Sequence, residues 1–462
     1  MVALLLLLAQ IDASFPGTSR CSDEDFVRRI HLDLAGVIPT AEETLAFLAK
    51  PDRPALIEKL LASPAYARRM EEAFTVMLLE RRTGEAVPEA KWRDWLAKKF
   101  ADDVPWEATV RELLAADGRD ASPAVKFFVD GRTEPHRLTQ DVARIFLGKN
   151  LTCAQCHDHP HVKDWSQAEY MGLYAFLGQN KADKGRFMPQ PMTKKVEYEN
   201  VFRPEKKKST GPSLAGQPEL EVPAYAKGQE WEVPPGKDGT PGVPKFRPRE
   251  RLAADLVAHP QFARTAVNRV WFMLMGRGFV HPIDMDHSKN PPSHPELLDA
   301  LSRRFTSFKP LVREIVLSAA YQRADALLRP LTPEALARSV AVATSFKPGS
   351  QGKFNATSYL AGKKSEPPST LDDLSDCFAA VFGAPAGEPE TSFSVSTTQA
   401  LYLRNDRLIT ELAAGMKGDV ESLYLRILSR RPTDAERMAA KGVAPASLAW
   451  ALLASAEFRL NH

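Results

Sequence analysis

Between residues 181 and 248 the chain places eleven of its 36 prolines. Proline lacks a backbone N–H and clashes with the preceding turn, so no regular helix can run through such a stretch. It divides a sequence whose other patterns are helical. Ser/Thr-x-x-Glu signatures stand before apolar runs at Thr40/Glu43, Ser166/Glu169, Ser293/Glu296 and Thr433/Glu436, each predicting a capped helix start. Helical periodicity is read over 25–34, 55–61, 92–100, 106–115, 138–147 and 252–275. Alternating, strand-type patterning is scarce; residues 195–202 alternate, and a small β-hairpin is expected around 196–202. The expected fold is mainly α: two helical modules joined by a proline-rich linker that carries the hairpin. The expected boundaries are an N-terminal segment 1–21, a first module 22–180, a linker 181–248 and a second module 249–462. A polar stretch over 345–369 interrupts the second module.

Composition narrows the function classes. Lys plus Arg number 61 and Asp plus Glu 58, giving a net charge of +3. Such balance gives no electrostatic footprint for nucleic acid, and Lys206-Lys207-Lys208 reads as a solvated loop. The apolar run 2–9 has the length of a signal-peptide core but lacks a preceding Lys or Arg. It is read as a secretion signal, with a simple N-terminal helix as the alternative. It is too short to span a bilayer, which takes about 20 residues, and no transmembrane span is expected elsewhere.

Four cysteines cannot build a disulfide framework. Cys21 and Cys377 are read as buried free thiols. Cys153 and Cys156 lie in Cys153-Ala-Gln-Cys156-His157-Asp-His159-Pro-His161, and Cys-x-x-Cys-His is the haem c attachment pattern. Two intervening residues put the thiols about one helical turn apart, so both can reach the porphyrin vinyl groups. The adjacent His157 then supplies the proximal iron ligand. The helix over 138–147 delivers this motif, and Gly148 lets the chain turn. One covalent haem is therefore the expected cofactor. Zinc held by the two cysteines and two histidines is the alternative; a thioredoxin-like redox pair lacks its βαβ context. His159 is too close in sequence to reach the opposite haem face and is expected on a propionate, a backbone carbonyl or solvent. Met188 and Met192, in a proline-containing loop, are candidate sixth ligands. The histidines of the second half, His281, His287 and His294, are alternatives.

A second polar run, from His281 through Asp284, Asp286 and His287 to His294, is a candidate metal or substrate site. Its competing reading is a loop in which Ser293 and Glu296 cap the next helix and Arg269 ties down a carboxylate. Asp158 and Asp164 beside the motif are read as solvated.

Several stretches resemble a planctomycete-type cytochrome family that pairs the domain-of-unknown-function families 1549 and 1553. They are 24–40 (Glu-Asp-Phe-Val-Arg-Arg-Ile-His-Leu-Asp-Leu-Ala-Gly-Val-Ile-Pro-Thr), 60–66, Trp92-Arg-Asp-Trp95 and the Cys153 motif. In the second half they are Asn268-Arg-Val-Trp271, Gly276-Arg-Gly278, 292–299, Leu317-Ser-Ala-Ala-Tyr321 and 399–406. The resemblance implies a secreted, haem-binding protein whose biochemical role is largely unassigned. The expected function is a periplasmic or secreted single-haem c-type cytochrome-like protein working with a redox partner protein. The alternatives are a haem- or metal-dependent enzyme acting on an extracellular substrate such as a polysaccharide, and a zinc- or haem-stapled structural protein.

Overall fold

The computed structural model describes residues 2–462 except 18, 85, 118–121, 131–133, 184–185, 350–353, 364 and 391–395. Part of the polar stretch 345–369 thus lies outside the described residues. The chain is mainly α, and among the described residues the named strands form only small two-stranded antiparallel ladders.

The capping signatures locate most of the helix starts they predict. Thr40 and Glu43 form a reciprocal capping box on Ala41–Ala49, and Thr433 and Glu436 form another on Asp434–Ala439. Ser166 caps Gln167–Leu177, but the Glu169 carboxylate turns away to Lys149 at 2.7 Å. Ser293 does not cap. The helix Pro295–Arg304 starts one residue later, with His294 at the cap position and no side-chain cap. Pro295 takes the first helical position, where its missing N–H costs nothing. The pattern over 252–275 is two helices, Pro248–Ala258 and Pro260–Met275. His259 is forced into an extended conformation ahead of Pro260, which ends the first.

The chain packs as two compact units: 1–73 with 274–276 and 312–462, and 74–273 with 277–311. This grouping differs from sequential modules. The proline-rich stretch is built into the second unit, and the C-terminal 150 or so residues pack with the N-terminal ones.

In the first unit, Val340, Leu374, Phe378, Ile409, Leu423, Ile427, Leu453 and Phe458 form a fully buried core. Asp33, on the helix Asp23–Ala35, is buried at a junction of distant segments. Its carboxylate accepts from Arg329 at 2.8 and 2.7 Å, from the Tyr321 hydroxyl at 2.6 Å and from Asn461 at 3.0 Å. The apolar run near the N-terminus lies in the helix Val2–Ser14. Leu7 and Ile11 are buried there, and Asp12 accepts the Ala320 N–H at 3.2 Å. Cys21 and Cys377 are buried free thiols, and burial pushes Cys377 up to about 12. Among the described residues, no helix is long and apolar enough to cross a membrane.

In the second unit, Phe74, Phe100, Trp106 and Phe308 form an aromatic cluster with ring centroids 4.7–5.8 Å apart. Beside it runs a buried charge network. Arg82 meets Glu80 at 2.8 Å and Asp141 at 3.1 Å. Arg144 meets Glu80, Asp141 at 3.2 Å and Asp284 at 3.7 Å. Arg269 meets Asp284 at 2.5 Å. Three guanidinium groups thus face three carboxylates.

Removing one member of a buried, paired set leaves a charge uncompensated. Asp33→Ala removes the carboxylate that faces Arg329, and Asp284→Ala removes the one that Arg144 and Arg269 share. Each is expected to cost about 3–5 kcal/mol in urea unfolding. A loss below about 1 kcal/mol would mean that the network carries little stability.

Candidate functional site

The Cys-x-x-Cys-His loop is delivered by the helix Pro135–Leu147. Pro135 sits at its first positions, and Glu134 caps it by accepting from the N–H groups of His136 and Arg137 at 2.9 and 2.7 Å. The helix ends at Gly148, where φ is +66°, a left-handed value suited to glycine. A side chain there would also press on Thr265, about 3.1 Å from its hydroxyl. The exiting strand is pinned by backbone bonds from Asn150 N–H to the Asp284 carbonyl (2.9 Å) and from Asp286 N–H to the Gly148 carbonyl (3.0 Å). Arg269 reaches the last carbonyls of the helix, those of Arg144 at 2.7 Å and Ile145 at 3.1 Å. A cation at a helix C-terminus is favoured by the dipole.

The motif itself forms one 3₁₀ turn, Cys153–Gln155, with the Cys156 and His157 N–H groups directed to the Cys153 carbonyl. Both thiols are exposed. The His157 ring holds its Nδ1 2.7 Å from the Asp158 carbonyl. A carbonyl only accepts, so Nδ1 carries a proton, and in the neutral ring Nε2 is the nitrogen with the lone pair.

The loop is fastened by groups the sequence reading did not single out. The Gln167 amide donates to the carbonyls of Gln155 (3.3 Å) and Glu199 (3.0 Å), while Gln140 donates to the Gln155 side chain at 3.0 Å. The strands β3 (Val196–Asn200) and β4 (Arg203–Thr210) pair as a hairpin longer than the one expected over 196–202: that run supplies only β3 and the turn, and β4 takes in Lys206, Lys207 and Lys208, which the sequence reading placed in a loop. Its tip reaches the motif: Val201 N–H donates to the Cys156 carbonyl at 3.1 Å, and the Phe202 ring lies 5.0 Å from that of His157. Behind the loop, buried Tyr170 donates to the His136 carbonyl at 3.2 Å and meets His136 Nδ1 at 2.9 Å. Burial raises the Tyr170 pKa, which keeps its hydroxyl protonated. An alternating polar–apolar run at 195–202 signals the first strand of the hairpin; nothing in the sequence signals its docking partner.

His159 is half-buried and is held by backbone N–H groups, not by the carbonyl expected. Its Nδ1 accepts the N–H groups of His161 (3.2 Å) and Val162 (3.0 Å), and its ring stands edge-on to Trp165 at 5.3 Å. Burial and then the neighbouring His161, His287 and His157 lower its pKa. Asp158 and Asp164 are not merely solvated. Asp158 accepts the Gln167 N–H at 2.9 Å, and Asp164 accepts the N–H and hydroxyl of Ser288 at 2.5 and 2.8 Å.

Met188 is on β2 (Arg186–Pro189), paired with β1 (Asn180–Asp183). That ladder hangs from the C-terminal end of the helix Gln167–Leu177, through the Gln190 N–H to the Gln179 carbonyl at 3.0 Å. The motif docks at the N-terminal end, and the helix is about 16 Å long by its rise. Met192 is fully buried.

The polar run 281–294 does not converge. Asp284 is held by Arg269 and Arg144, as the tied-carboxylate reading expected. Asp286 accepts from Gln261 at 2.7 Å. His287 packs on Trp165 at 4.9 Å and takes the Lys289 N–H at 3.2 Å; His294 meets the Ser293 hydroxyl at 3.0 Å. The half-buried His281 has its pKa lowered by burial and by Arg277. Among the described residues, no three His, Cys, Asp or Glu side chains gather where they could hold a metal ion. A structural zinc needs four such donors.

Gln167→Leu removes the amide that the Gln155 carbonyl of the loop and the Glu199 carbonyl of β3 share. It is expected to cost about 1–3 kcal/mol and to speed hydrogen exchange at the Val201 amide. Unchanged exchange there would mean the hairpin holds the loop without it.

No curated protein matches the chain, and no solved structure matches it. Residues 7–182 match the family model described as PSCyt2, a protein of unknown function (DUF1549). Residues 248–338 match PSD1, a protein of unknown function (DUF1553). The chain thus carries the two modules together, in the pairing that its sequence resemblance implied.

Proposed function

We propose that this protein is a single-haem c-type cytochrome-like protein that exchanges electrons with a partner outside the cytoplasm. One observation carries the reading. Two exposed thiols stand one short helical turn apart, beside a histidine whose Nδ1 is committed to the Asp158 carbonyl and whose Nε2 is free. Iron-bound histidines nearly always donate their other ring N–H to such an acceptor, which fixes the tautomer and the ring orientation. The donor set therefore fits covalent haem. Cys153 and Cys156 would anchor the porphyrin through thioethers, and His157 would be the proximal ligand.

Bound there, haem would supply one-electron redox chemistry. The residues around it have their own tasks. Asp158 orients His157 through its carbonyl and holds the next helix through its carboxylate. Gln167 and Gln140 keep the turn closed, so the two thiols are presented at fixed spacing. Covalent attachment of haem takes place outside the cytoplasm, and that supports a periplasmic or secreted location.

The test is expression with a cytochrome c maturation system, followed by acid–acetone extraction. Unsubstituted protein is expected to keep a reduced c-type spectrum after extraction, at about one haem per chain. The double variant Cys153→Ala, Cys156→Ala is expected to lose it. A chain without haem but with stoichiometric metal in elemental analysis would overturn the proposal.

A further inference from the structure

The tip of the β3–β4 hairpin has an unusual composition for its position. Two-residue hairpin turns favour Asn, Gly and Asp, because those residues satisfy the turn geometry. Here the two residues between the strands are Val201 and Phe202, 55% and 76% exposed. The turn's polar requirement is met from the strand instead, since the Asn200 side chain accepts the Phe202 N–H at 2.9 Å. The tip side chains are thus not needed by the turn. Nor is the tip loose. Val201 is bonded to the Cys156 carbonyl, and the Glu199 carbonyl is held by Gln167. A rigid, solvent-facing pair of apolar side chains is therefore fixed against Cys156 and His157. Single exposed apolar residues need no explanation; two of them, tied by the backbone to a cofactor motif, do.

We infer that Val201 and Phe202 form an apolar wall against which the porphyrin packs, excluding water from the proximal side beside His157. The inference rests on covalent haem at Cys153 and Cys156. A porphyrin is the flat apolar surface whose attachment point these residues adjoin. Excluding water from a haem disfavours the more highly charged ferric form and so raises the reduction potential.

The experiment compares haem-loaded protein with Phe202→Ser, Val201→Ser plus Phe202→Ser, and Phe202→Leu. The serine variants are expected to keep covalent haem, to shift to lower reduction potential in the order single then double, and to change the Soret circular dichroism. Phe202→Leu is expected to stay near the unsubstituted values. In a haem-free Cys153→Ala, Cys156→Ala background, none of the tip substitutions should move the thermal midpoint, because the side chains are exposed. Unchanged potential and Soret dichroism in the double variant would overturn the wall while leaving haem attachment intact. Absence of haem from the unsubstituted protein would overturn both.

Discussion

Six buried charges decide how the loop of interest is held. Glu80, Arg82, Asp141, Arg144, Arg269 and Asp284 come from four separate stretches and balance as three positive and three negative groups. Desolvating such groups is expensive, and the expense is recovered only when every member keeps its partners. Burial lowers the Arg144 pKa to about 10, against the pull of Asp284, so the guanidinium stays charged at neutral pH. Glu80 and its neighbour Arg81 have φ of +50° and +54°, a conformation that side-chain-bearing residues rarely adopt. Because Arg144 lies in the last turn of the helix before the motif, and Arg269 bonds that helix's final carbonyls, the network sets where the motif begins.

From that fixed start the loop is closed by ordinary polar contacts. A 3₁₀ turn spaces the thiols, Asp158 serves both His157 and the following helix, and Gln167 ties the turn to the hairpin. Two residues matched by the second family model, His287 and Ser288, contact the loop through Trp165 and Asp164. The segment matched by PSD1 therefore contributes to the surroundings of a motif in the segment matched by PSCyt2. That gives a physical reason for the two to occur on one chain.

Much of this was legible locally. Thr40/Glu43 and Thr433/Glu436 mark helix starts because a capping box depends only on residues three apart. Alternation over 195–202 marks the first strand of the hairpin because strand faces have period two; the second strand, with its run of lysines, carries no such alternation. Where local reading failed, a neighbouring proline usually decided. Pro295 displaced the cap from Ser293 to His294, and Pro260 split one apparent helix into two. The polar run 281–294 looked like a site because Asp and His serve both as ligands and as anchors, and spacing does not distinguish those roles.

The sequence by itself determined the helical class, most of the helix starts and the first strand of the hairpin. Each of these depends on residues within a few positions of one another. Only the tertiary structure decided that Asp284 belongs to Arg269 and Arg144, that Val201 and Phe202 stand against the motif, and that Met188 lies at the far end of the neighbouring helix. Those facts join residues tens to more than a hundred positions apart. They are set by which buried charge finds which partner and which backbone group finds which acceptor, and both depend on the whole packed unit.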